Sequence, residues 1–309
     1  MADLLNYAEA YGQAVDEKYA AIRTSDSLWK TPANNSLRWD GPNHVKVPMV
    51  SILDGRRDRK RNNVALGKMA DYSNDWEDFK LAFDREWETS VDPRDVDDTN
   101  GIMTIAKITD EFNRTLKIPE QDKYMYSKLF KEKVRIEGAE NDGIINLELT
   151  EQNVLRQFDK MMTAMDEAEV EGNRTLYITP AVNELLKNAQ ITNRFAMANG
   201  SGNIQRTVHS LDDVTINVVP SSRMKTDYDF TVGAADKAGA QQIQMFLIAE
   251  NVHVAPDKYQ FAGLQEPSAL TQGNYLYYES EFADVFMFQN KSKGYAAVVK
   301  PTDTANAGK

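Results

Sequence analysis

The chain has 309 residues, 27% charged and 41% hydrophobic, ordinary values for a soluble folded protein, and its length permits one large domain or two ordinary ones. It contains no cysteine, which excludes a disulfide framework, a thiolate metal site and a cysteine nucleophile. A formal net charge of −11 opposes tight binding to a nucleic-acid backbone, although an acidic wall can enclose a polyanion without affinity for it. Met1-Ala2-Asp3-Leu4-Leu5 is not a basic region leading into a long apolar run, and no later stretch is apolar enough to span a bilayer. A cytosolic chain without membrane contact is expected.

Leu4, Ala8, Tyr11, Val15, Tyr19 and Ile22 fall on one face of a helix. Residues 23 to 43, rich in Thr, Ser, Asn, Gly and Pro, read as an extended or loop-like tether. A helix on such a tether is expected to dock against another subunit. Val45, Val47, Val50 and Ile52 make a strand that runs into the turn pair Asp54-Gly55, where a hairpin begins. Arg56-Arg57-Asp58-Arg59-Lys60-Arg61 is too polar for burial and is expected at the exposed tip. On the return arm Phe79, Leu81, Phe83 and Trp87 alternate as in a strand, while Trp76, Phe79, Phe83 and Trp87 also fit a helical stripe. The aromatic content and the outbound arm favour strand.

Beyond the acidic stretch Asp92 to Asp98, a helical stripe runs through Ile102, Ile105, Ile108, Phe112 and Leu116, and Pro119 suits the first turn of a continuation to about Lys133. The next helix spans about Glu151 to Glu171, with Leu155, Phe158, Met162 and Met165 inward and Gly172 placed to cap it. A short strand at 175–178 leads to Thr179-Pro180, an N-cap and first-turn proline for a helix with Val182, Leu185, Leu186 and Ala189 on one face. Val214, Ile216 and Val218 alternate before Pro220, and the apolar run Ile243 to Val254 suits a strand covered on both faces. Aromatic strands are expected over 275–299, and a disordered tail over 301–309. The pattern is an interleaved α+β subunit with long appendages.

Four segments resemble the major capsid proteins of tailed bacteriophages. They are Leu176-Tyr177-Ile178-Thr179-Pro180 with Val182 and Leu185-Leu186-Lys187; Val219-Pro220-Ser221-Ser222-Arg223-Met224; Met245-Phe246-Leu247-Ile248 leading to Asn251-Val252-His253-Val254-Ala255-Pro256; and Phe282-Ala283-Asp284-Val285-Phe286 with Asn290-Lys291 and Gly294-Tyr295. Together they cover roughly the second half of the chain, and the first half agrees in layout. The resemblance implies the Hong Kong 97 fold, divided into an N-terminal arm (1–43), an extended hairpin loop (44–97), a spine helix with the first part of a peripheral domain (98–150), an axial domain (151–250) and return strands (251–300). It further implies assembly into hexamers and pentamers that enclose double-stranded DNA, with separate scaffolding and portal proteins as partners. The virion would be built in the host bacterial cytoplasm. Some relatives crosslink lysine to asparagine, but no motif singles out Lys60, Lys68 or Asn290 for this.

The residues expected at subunit contacts are Leu4, Tyr11, Val15 and Tyr19 of the arm, Arg56, Arg57, Arg59 and Arg61 of the tip, and Phe79, Phe83 and Trp87 of the return arm. No catalytic residue, cofactor or metal is expected. Two alternatives stand beside the capsid reading. One is an encapsulin-like nanocompartment of the same fold; the other is an enzyme or metal-binding protein using Asp92, Asp95, Asp97 and Asp98. That cluster lacks the glycine and closing glutamate of a calcium loop and fits a solvated helix entrance better. His44, His209 and His253 have no ligand spacing, and no phosphate-binding glycine loop is present.

Overall fold

The structure, a computed structural model, describes residues 23–41, 43–52, 72–94, 105–139, 141–195, 210–211 and 214–301. The segment read as a loop-like tether is packed against the body. It forms a one-turn helix α1 (Asp26–Trp29), a 3-10 turn (Pro32–Ser36) and strand β1 (Arg38–Asp40), and Ser25, Leu28, Trp29 and Thr31 are buried. The small polar residues that suggest a loop here serve instead to satisfy a buried carboxylate on another element.

Strand β1 pairs antiparallel with β2 (His44–Ile52), which pairs with β3 (Tyr72–Lys80) from His44 opposite Lys80 to Ile52 opposite Tyr72. This is the expected hairpin, and its turn, with Arg56 to Arg61, lies outside the described residues. The return arm is strand, but not one strand. The chain breaks at Leu81-Ala82, and β4 (Phe83–Val91) enters a different sheet. The hairpin therefore occupies 44–80 and not 44–97, because the alternating Phe79, Leu81 and Phe83 keep one buried side across the joint while the hydrogen-bonding partner changes.

A long helix follows in three contiguous parts: α2 (Ile105–Phe112), a π turn (Asn113–Lys117) and α3 (Ile118–Glu137). Pro119 sits in the first turn of α3 as expected, and Gly138, at φ 86°, ends it with its N–H on the Val134 carbonyl at 2.8 Å. The π turn changes the face. Its wider i to i+5 bonding lets side chains fall out of the 3.6-residue period, so Leu116, expected on the buried stripe, is 58% exposed.

The largest sheet has the order β5-β16-β11-β6-β8-β7, with β5 (Ile144–Asn146), β6 (Arg174–Ile178), β7 (Ser210–Leu211), β8 (Val214–Val218), β11 (Ile243–Ala249) and β16 (Tyr295–Val299). All seven residues of β11 are buried, which is why its sequence does not alternate. Met245 and Leu247 face a core with α4 (Val154–Glu167) and α5 (Pro180–Phe195), while Phe246 and Ile248 face a second core with Tyr126 and Leu129 of α3. Gly172 does not cap α4. The helix closes at Glu169, φ 54°, with Val170 N–H on the Met165 carbonyl and Glu169 N–H on the Asp166 carbonyl, both 3.0 Å, the paired bonds of a Schellman turn.

Two small ribbons and one further sheet complete the fold. Strands β9 (Tyr228–Asp229) and β10 (Ala235–Asp236) pair with each other, as do β12 (His253–Val254) and β15 (Phe286–Met287). Strands β13 (Asp257–Gln265) and β14 (Tyr275–Ala283) form an antiparallel sheet with β4. Of the expected tail, 302–309 lies outside the described residues.

Candidate functional site

Arm, hairpin, long helix and late strands meet around two buried carboxylates. Asp122, fully buried on α3, accepts from Thr24 (N 3.3 Å, Oγ1 2.6 Å), Ser25 (N 3.0 Å, Oγ 2.5 Å) and the Arg223 guanidinium at 2.9 Å. Such charge-assisted bonds are the strong ones, and they satisfy a group that burial would otherwise penalise. The Val219-to-Met224 motif has a physical meaning here. Val219 and Met224 are buried anchors, Pro220 leads into a 3-10 turn, and Arg223 reaches the carboxylate. Tyr126 donates to Thr24 Oγ1 at 2.9 Å, and burial beside the Asp122 charge pushes its phenol well above the ordinary range.

Asp284, also fully buried, accepts from Tyr124 Oη and Val285 N at 2.7 Å and from Ala82 N at 2.8 Å, with Lys128 Nζ at 3.5 Å. Ala82 lies in the joint between β3 and β4, so this carboxylate ties the base of the hairpin to the long helix. Burial, then the Asp284 charge, raises the Tyr124 phenol. The Asn251-to-Pro256 motif does similar work. Asn251 turns the chain at φ 59°, buried His253 bonds the Leu28 carbonyl through Nε2 at 2.8 Å, and Ala255 N–H donates to Asn34 Oδ1 at 2.8 Å. Burial lowers the His253 pKa to about 4, so its ring is neutral and Nε2 is the protonated, donating nitrogen.

At the end of the long helix Lys133 is buried, donates to the Ser292 carbonyl at 2.8 Å and pairs with Glu137 at 2.7 Å; burial lowers its pKa. A Cβ on Gly143 would lie 2.7 Å from Lys133 Cε, so this glycine makes room for the lysine stem.

Expected contact residues divide by position. Leu4, Tyr11, Val15, Tyr19, Arg56, Arg57, Arg59 and Arg61 lie outside the described residues. Phe79 stacks on Phe286 at 4.6 Å between centroids and Phe83 on Tyr124 at 3.9 Å. Both are buried within the subunit, so they offer no surface to a neighbour: the chain's own helix and late strands cover the face that the sequence left uncovered. Trp87, half-buried, stacks on Phe112 at 3.7 Å. Asp92 accepts from the backbone and guanidinium of Arg94, while Asp95, Asp97 and Asp98 lie outside the described residues. His44 contacts Asp78 at 3.2 Å on the surface, and His209 is outside. Among the described residues no group of three or more His, Asp or Glu is arranged to hold a metal, and no helix is long and apolar enough to cross a membrane.

Surface aromatics that the sequence reading did not place among the contact residues are more conspicuous. Trp39 and Trp76 are about two-fifths exposed beside the hairpin base, under Lys258 and Arg38 respectively. On β13, Tyr259 and Phe261 are half exposed and stacked at 6.4 Å. Beside them a groove is lined by Asp84, Glu86, Lys258, Tyr259 and Tyr278. Two-residue spacing along β13 was the available signal, masked by the Ala262-Gly263 pair that follows.

No protein-family model matches the chain, and no curated protein matches it. Solved structures do. A chain of the mature capsid of bacteriophage PhiM1 superposes with a TM-score of 0.61 at 15% identity, over 85% of this chain and 83% of that one. The capsid of cyanophage P-SCSP1u gives 0.65 at 10% identity, over 86% and 85%. The chain has the Hong Kong 97 fold. A chain of Mycobacterium phage Che8 agrees, with a TM-score of 0.55 at 10% identity over 87% and 91%. In this chain the buried carboxylates Asp122 and Asp284 fix residues 24–25 and the base of the β2–β3 hairpin to the long helix.

Proposed function

We propose that the chain is the major structural subunit of a tailed-phage head, assembling into hexamers and pentamers that close into an icosahedral shell around double-stranded DNA. The observation that carries this reading is the fold itself, matched over more than four-fifths of the chain to capsid chains of PhiM1 and P-SCSP1u. The exposed aromatics around the hairpin base and on β13 support it, since partly exposed Trp, Tyr and Phe are typical anchors of protein contacts. The acidic surface suits a wall that confines DNA without adhering to it. The large sheet with α4 and α5 is the axial domain, and the spine with the β13-β14-β4 sheet is the peripheral domain. Scaffolding and portal proteins would be separate chains, and assembly would take place in the host bacterial cytoplasm.

Electron microscopy of the purified protein, alone and coexpressed with its neighbouring genes, tests the proposal. Closed angular shells, or rings of five and six subunits, are expected. A small discrete species under both conditions would overturn it.

A further inference from the structure

The π turn of the spine opens a groove of about 670 Å3 between Phe112 to Lys123, the β4 residues Phe83 to Trp87, and the loop Thr231 to Ala234. Its polar groups are largely engaged. Arg85 pairs with Glu120 at 2.7 Å, Lys117 with Glu279 at 3.0 Å, and Lys123 donates to the Ala234 carbonyl at 2.6 Å. Among the described residues two aliphatic side chains on its rims are left uncovered: Leu116 is 58% exposed on one side and Val232 87% on the other. Two large aliphatic side chains held in water across a cleft form an apolar site that a complementary face would fill.

The chain itself delivers such a face to the edge of this groove. Thr24 and Ser25 are fixed on Asp122, and Arg23 donates to Gln121 Oε1 at 3.0 Å. Gln121 is itself part of the groove wall and donates onward to Glu281, another wall residue. Residues 1–22 therefore start from a point anchored at the rim, without the free tether that the sequence suggested. Their apolar positions, Leu4, Tyr11, Val15, Tyr19 and Ile22, share one helical face, and a helix over residues 4–22 would span about 28 Å.

We propose that residues 4–22 of the same chain dock in this groove, with their apolar face between Leu116 and Val232. Starting from a fixed point at the rim, the segment has a high effective concentration for a site in its own subunit, which a second copy must match by diffusion. The inference does not depend on shell assembly and applies equally to the free subunit.

The absence of cysteine allows a direct test. In the full-length chain Val232→Cys is combined in turn with Tyr11→Cys, Val15→Cys and Tyr19→Cys, and the same three are combined with Leu270→Cys, which is 88% exposed on the β13–β14 turn. Under mild oxidation, at least one Val232 pair should close within a single chain, read as a faster-migrating band of unchanged mass, and the Leu270 pairs should stay open. Bonds only between copies, no closure in any Val232 pair, or equal closure with Leu270 would overturn the proposal. As a second reading, Leu116→Asp with Val232→Asp should speed tryptic cleavage after Lys18 at least tenfold while circular dichroism stays unchanged. An unaltered cleavage rate would also overturn it.

Discussion

At the scale of single residues, the buried polar groups hold the arm to the body, and one of them makes stability depend on pH. His253 is neutral in the folded chain with a pKa of about 4, against an ordinary value near 6.5. Between those values the unfolded chain binds a proton that the folded chain does not, so stability falls as pH drops through the window and is fully present above it. The contribution lost by pH 4 is about 3 kcal/mol. In urea titrations at pH 7.5 and 4.5, His253→Gln, which keeps a donor for the Leu28 carbonyl, should show a smaller acid loss than the parent chain. Equal losses in both chains would remove His253 as the cause. Asp122 shows what sequence could and could not disclose. Its spacing from Ile118 and Met125 places a carboxylate on the apolar stripe, a visible anomaly, but the partners that satisfy it stand about a hundred residues away on either side. No local pattern names them.

At the scale of elements, those buried on both faces or carrying plain turn chemistry were legible, including α5 with its Thr179-Pro180 start, the apolar β11 and the outbound hairpin arm β2. Phase and partner were not. The π turn rotates Leu116 out of a stripe that the 3.6-residue period places inside, and the Leu81-Ala82 joint is silent because the inward alternation continues across it. The Gly294-Tyr295 pair marks a place where elements touch without room to spare. A Cβ on Gly294 would lie 2.5 Å from Val252 Cγ2 and 3.4 Å from Val170 Cγ1, so the turn before β16 can sit on the β11–β12 connection only while this residue lacks a side chain. Gly294→Ala should destabilise by about 1–3 kcal/mol through overpacking. Adding Val252→Ala removes the clashing methyl, and the double variant should be less destabilised than the two single changes predict together, a coupling that a double-mutant cycle in urea measures directly.

At the scale of the whole molecule, its parts are stapled by groups far apart in the chain. Thr24 and Ser25 wait for Asp122, which waits for Arg223, and Ala82 at the hairpin base waits for Asp284, 202 residues later. The central strand β11 is flanked by β16, the last strand described. Read as an order of events in time, this arrangement makes the subunit a product of late synthesis. At typical elongation speeds the hairpin base leaves the ribosome about 10–40 s before the carboxylate that seats it, and until then the hairpin lacks its final bearing on the long helix. A ribosome-held chain stopped before Asp284 should be cut readily by protease near Leu81-Ala82, and one extended well past Val299 should resist. The seating of the hairpin base on the long helix is therefore completed only when the chain is nearly whole, and in the proposed shell role that keeps half-made copies from joining.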